Sequence, residues 1–319
     1  MCPMSRVFSR VVGYFVPLVC VLSIGGCKPQ SGSAGGGKAA APVERPTGPL
    51  TLKEAQEYVL ALVNQDRAEH DLEPVRWDDT LAKAGERHAR DMASHGFTAH
   101  WGTDGSVPEQ RYSEAGGQHM PQENAACFFD AETRELDPDP RFDPLELEKI
   151  ESAFINEKPP HDGHRQNILK PVHNLFGVGL AKPVGVAQLC MAQEFADAYG
   201  AYEPLPETAK IGQKVTIAGE VHPPVQFGGV GVGRIDLPKP TPAQQLNTTS
   251  TYRVPDASVL YFPKGFKTPK PVEVEGNRFS IEVPLNVQGR PGRYQVSVWG
   301  KYPGSDDLVM VSLRTVIVK

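Results

Sequence analysis

Apolar residues recur at helical intervals through the first part of the chain and alternate with polar ones through the last part, with the change near residue 200. Leu52, Ala55, Val59, Leu62 and Val63 share one helical face, and Thr51 and Glu54 stand at capping-box spacing, so a helix is predicted from there to about His70. A second stripe, Leu81, Ala84, His88, Ala89 and Met92, predicts a helix capped by Asp79 or Thr80 and closed at His95-Gly96 by a left-handed glycine. Asp143-Pro144-Leu145-Glu146 opens a third, with proline at the first helical position and Leu147, Ile150 and Phe154 on its buried side. The apolar runs 177–180 and 188–195 flank a Lys182-Pro183 turn and are expected to pair antiparallel. Helices on a small central sheet are the layout these segments support.

Beyond about residue 202 the pattern has period two. Segments 214–217, 279–283, 294–298 and 309–313 alternate, separated by Gly, Pro and Asp, and Arg290-Pro291-Gly292 supplies a turn before the third. A β-sandwich of immunoglobulin-like architecture is predicted, without a Cys-Trp-Cys core. The fold class expected for the whole chain is therefore α+β.

The first residues set the compartment. Arg6 and Arg10 precede an apolar run, 11–24, that is shorter than the roughly 20 residues of a membrane span and is interrupted by Pro17. Residues 1–26 thus read as a signal peptide. They end at Ile24-Gly25-Gly26-Cys27, which resembles a bacterial lipobox and makes Cys27 the expected lipid-bearing residue. Residues 27–50, rich in Gly, Ala, Ser, Lys and Pro, read as a flexible tether, followed by modules at 51–200 and 201–319. The protein is expected to be exported and anchored by lipid in the cell envelope. Cys2 and Cys20 leave with the signal, and Cys127 and Cys190 remain as an even pair, either bridged or as two buried thiols. The net charge of −5 and pI near 6.0 supply no basic stripe, which argues against a nucleic-acid partner.

Four ionisable residues, His100, Glu123, Glu157 and His164, stand in contexts suited to buried ligands. Two imidazoles and two carboxylates in one cleft make either a divalent-metal site or a coupled acid/base cluster. Their surroundings are His100-Trp101-Gly102-Thr103-Asp104-Gly105, Gln122-Glu123-Asn124-Ala125, Asn156-Glu157, and Gly163-His164-Arg165-Gln166-Asn167-Ile168-Leu169. With Asn64, Arg67, Gly177-Val178-Gly179 and Gln193-Glu194-Phe195, this order resembles the CAP superfamily, the cysteine-rich secretory, antigen 5 and pathogenesis-related proteins, in its bacterial SCP-domain branch, over about 51–199. The resemblance implies a three-layer α-β-α sandwich whose central cleft is lined by those four residues. It also implies a divalent cation, often zinc, held by His100 and His164, and a small-molecule, lipid or cell-wall ligand. Gln122 replaces the glycine of the family's Gly-Glu-Asn motif, which puts the local backbone in question.

Other candidates are weaker. His88 lies on an apolar stripe and reads as a core histidine, His161 as solvent-exposed, and Arg165 as a surface charge or carboxylate partner. Cys127, in an Ala-Ala-Cys-Phe-Phe setting, is not expected to act as a nucleophile. Neither a His-Glu-x-x-His helix nor a Gly-x-Ser-x-Gly elbow occurs. The first expectation is a non-enzymatic binding protein. The second is a metal-dependent hydrolase of peptide or cell-wall material with Glu123 or Glu157 as general base, and the third an adhesion or assembly protein working through its β-sandwich.

Overall fold

A computed structural model describes residues 42–249 and 251–319. The signal segment, Cys27 and most of the tether lie outside the described residues. The elements of the first module are α1 (Leu52–Glu69), β1 (Arg76–Trp77), α2 (Asp79–His95), α3 (Pro108–Glu114), β2 (Pro121–Ala126), α4 (Pro144–Ile155), α5 (Gly163–Ile168), β3 (Leu175–Ala181) and β4 (Cys190–Ala196). Their strands form one sheet in the order β1-β3-β4-β2. The expected β3–β4 pair is antiparallel, with Leu180 opposite Met191, and β1 adds the one parallel edge.

Alternation along β3 and β4 assigns the two faces of this sheet. Phe176, Val178, Leu180, Met191 and Phe195 pack with Val59 and Val63 of α1 and Leu147 and Phe154 of α4. The other face carries Gly177, Gly179, Ala181, Ala192 and Ala196, residues small enough for α2 to lie directly on the sheet. Three layers result, helix, sheet, helix. Thr51 makes the capping box with Glu54, while α2 is capped by Asp78, one residue earlier than the pattern suggested. Gly96 ends α2 at φ 65°. Asp143 caps α4, and Glu146 accepts from the Leu189 amide. Cys127 and Cys190, at the end of the β2–β4 ladder, form a disulfide.

Gln122 presents no backbone difficulty. It sits mid-strand opposite Phe195 and is not among the residues with positive φ, so glycine is not required there.

The second module contains β5 (Gly200–Tyr202), β6 (Thr208–Ala209), β7 (Lys214–Val221), β8 (Gln226–Ile235), α6 (Ala243–Leu246), β9 (Val259–Tyr261), β10 (Glu273–Glu275), β11 (Arg278–Pro284), β12 (Gly292–Lys301) and β13 (Leu308–Val318). These make two sheets, β10-β11-β7-β5 and β6-β13-β12-β8-β9. Ile217, Phe279, Ile281 and Val283 of one meet Val230, Val296, Val298 and Val311 of the other in a sandwich core. Part of the second sheet is buried on both faces. Arg293, Gln295 and Ser312 turn away from the core yet are inaccessible to solvent, because α3 and its flanks cover them. Gln295 donates to Glu109 (2.8 Å), Arg293 to Gln110, and Ser312 to the Gln118 carbonyl (2.5 Å).

Candidate functional site

Each of the four expected residues comes from a different segment: His100 from the loop after α2, Glu123 from β2, Glu157 from the turn after α4, and His164 from the first turn of α5. All four line one cleft of about 550 Å³. They form two imidazole–carboxylate pairs. His100 Nδ1–H donates to Glu123 Oε1 at 2.9 Å, and His164 Nδ1–H donates to Glu157 Oε1 at 2.6 Å. Glu157 also accepts from the His164 amide (2.9 Å), which satisfies a free N–H at the start of α5. With each Nδ1 engaged, each ring keeps Nε2 for whatever enters the cleft. Both rings are partly exposed.

Glu123 is the electrostatic centre of the site. Its carboxylate is wholly buried between His100, Arg111 of α3 (2.5 Å) and His88 of α2 (3.7 Å). Burial pushes its pKa up, but the Arg111 guanidinium and the hydrogen bond from His100 outweigh burial and hold it well below the usual range. Arg111 also donates to the His100 carbonyl (3.2 Å) and so fixes both the acid and the loop beside it. Arg111 was not anticipated from the sequence. His88 is the expected core histidine: it donates to the Ala99 carbonyl (2.7 Å), and burial, reinforced by Arg111, lowers its pKa to about 4.

Glu194 lies opposite Glu123 across the β2–β4 ladder and is fully buried. Burial, reinforced by the charge on Glu123, raises its pKa well above the ordinary 4.5, and it is held as the neutral acid. The folded state keeps a proton there that the unfolded chain releases above about 4.5, so this contribution to stability declines as pH rises through that range. Glu194→Gln is therefore expected to stabilise the protein more at pH 8 than at pH 5, with the gap growing by about 1.4 kcal/mol per pH unit until the folded pKa is reached. Urea denaturation at the two pH values measures it, and an equal effect at both would contradict this assignment.

The remaining motif residues are structural. Arg67, fully buried, donates to the carbonyls of Glu73, Ile168, Lys170 and His173 and clamps α1 to the end of α5. Asn64 makes a two-way bond with Val75, and Asn167 ties α5 to Asn124 of β2 (2.9 Å). Arg165 is neither a free surface charge nor a carboxylate partner: it donates to the Ile155 carbonyl (2.6 Å) at the end of α4. His161 is exposed at the rim of the cleft.

The donor chemistry fits a divalent ion at Nε2 of His100 and His164, each imidazole being oriented by a carboxylate on its other nitrogen. Among the described residues no group of three or more His, Cys, Asp or Glu is arranged around a common point for a metal. An ion held by the two imidazoles would thus retain open positions for water or ligand.

Comparison with known proteins supplies the family. Residues 60–183 match the model of the cysteine-rich secretory protein family, CAP. No curated protein matches the chain. Among solved structures, an extracellular protein containing an SCP domain from Bacillus anthracis str. Ames is 21% identical, with 47% of this chain and 44% of that one covered and a TM-score of 0.34. The match thus spans less than half the length of the Bacillus protein. An outer surface protein from Borrelia burgdorferi is 16% identical over 46% of this chain and 96% of its own, with a TM-score of 0.33. A chitin binding domain from Burkholderia pseudomallei is 10% identical over 36% and 57%, with a TM-score of 0.23. The three-layer module described above is a CAP domain of the cysteine-rich secretory protein family, matched over residues 60–183.

Proposed function

We propose that this is an exported, lipid-anchored binding protein whose CAP cleft holds a divalent cation, zinc by preference, on His100 and His164, with a small ligand beside it. The observation that carries this reading is the paired geometry: both Nδ1 atoms are occupied by carboxylates in one cleft, and both Nε2 atoms are left to bind. A bound cation would act as a Lewis acid that draws an oxygen- or nitrogen-bearing ligand to its open positions. The protein's own part is to orient the rings. Export and anchoring rest on the signal-like segment and the lipobox-like Ile24-Gly25-Gly26-Cys27.

The hydrolase reading is less well supported. A general base must accept a proton near neutral pH, and Glu123 is held far below that by Arg111. Glu157 spends its carboxylate on the ring and amide of His164. An adhesion role for the β-sandwich alone is also disfavoured, since part of its second sheet is covered by α3.

Isothermal titration of the full chain with Zn²⁺ tests the cleft. The wild type is expected to bind, and the His100→Ala/His164→Ala variant, which removes both proposed ligands, to lose binding by more than the roughly tenfold that loss of a ligand's supporting partner costs. Equal affinity in both, or no binding by the wild type, would remove the cation from the account.

A further inference from the structure

The β8–β9 connection leaves the sandwich and runs onto the CAP module, where it grips the loop that carries His100. Thr241 N–H donates to the Thr103 carbonyl (2.8 Å). Asn247 accepts from the Thr98 amide (3.0 Å) and donates to the Gly96 carbonyl (3.1 Å). Ala243 and Leu246 of α6 are buried with Met92, Phe97 and Ala99. Farther along, Thr251, Tyr252 and Val254 line the same cleft as the two histidines. Tyr252 is fixed there twice: its hydroxyl donates to Glu109 Oε1 (2.5 Å), and its ring stands edge-on to Trp101 with centroids 5.0 Å apart. Glu109 is itself buried and accepts from Gln295 of β12.

We infer that the cleft is a two-module site: the C-terminal module positions the His100 loop and supplies Tyr252 as the residue that decides what size of ligand reaches the imidazoles. This deepens the binding-cleft reading and rests on it. An alternating β-module joined only by a linker would leave the cleft open on that side. Here Tyr252, Val254 and Pro108 add apolar surface, beside Thr251, to a cleft whose other lining includes imidazole and carboxylate groups. The ligand class it fits has a small polar or metal-coordinating head and an apolar body at the lip.

The test uses diethyl pyrocarbonate, which acylates a free imidazole nitrogen, on the full chain without added metal, with peptide mass spectrometry reading each histidine. Tyr252→Ala is expected to raise the modification rates of His100 and His164 by about threefold or more, as removal of a covering lid would. Exposed His222 is the internal reference and should not change. Tyr252→Phe keeps the ring and should stay near the wild type. If the alanine variant does not fold by circular dichroism, Tyr252→Leu replaces it, with the same increase expected. Unchanged rates in a folded variant overturn the inference. Failure of the zinc titration alongside accelerated modification would instead retain the two-module cleft and reject the cation.

Discussion

Arg111→Met is expected to cost about 3–5 kcal/mol, because it leaves the buried Glu123 carboxylate without its cation. Both side chains are essentially inaccessible to water, and their bond is 2.5 Å. The remaining neighbours do not compensate: His88 is held neutral by its surroundings, and His100 gives one N–H. The deficit should depend on pH. Without Arg111 the Glu123 carboxyl becomes an acid favoured in its neutral form, so the folded variant retains a proton that its unfolded chain releases above about 4.5. Its stability therefore falls as pH rises from 5 to 8 relative to the wild type. Adding Glu123→Gln should restore part of the loss by removing the stranded charge. Urea denaturation of the four proteins of this cycle, at pH 5 and 8, measures the coupling. A single-variant loss below about 1 kcal/mol, the scale of an exposed ion pair, would contradict the buried-pair account.

Gly179→Ala should be comparably damaging, for a steric reason. A Cβ at this position of β3 would overlap the backbone of Gly85 and Glu86 in α2, and neither neighbour can rotate away. The helix would have to lift from the sheet. Overpacking of this kind costs about 3 kcal/mol or more when backbone must move. Gly185→Ala is a poor control, since its φ is 71°, whereas Gly163, with open space around it and no positive φ, is a suitable one. Thermal unfolding should show a large loss for Gly179→Ala and a small change for Gly163→Ala. Equal shifts would mean that α2 is not seated as closely as described.

The long helices and the β3–β4 pair were legible because their signals are local: periodic apolar faces, capping side chains and a terminal glycine. The short α3 was not. Pro108, Glu109, Gln110, Arg111 and Tyr112 are all buried, so no amphipathic stripe marks the segment, and its Arg111 escaped notice with it. Strand β2 was hidden for a related reason, since Gln122, Glu123 and Asn124 serve polar networks on both faces of the sheet. The four cleft residues were visible through their motifs, but which carboxylate serves which ring depends on packing among distant segments. Along β12 and β13, Arg293, Gln295, Ser312 and Arg314 look like the wet side of an alternating strand. Alternation reports the chemistry of a face, not whether water or another module meets it.

The lip formed by residues 251–254 also bears on how binding preferences diverge. Strands and helices that hold a core accept few changes, whereas a connection between two strands accepts many. Here such a connection frames the entrance to a cleft whose floor is built by the other module. Under the two-module proposal, substitutions at this entrance would change what the cleft admits while leaving the imidazoles, their carboxylates and Arg111 as they are.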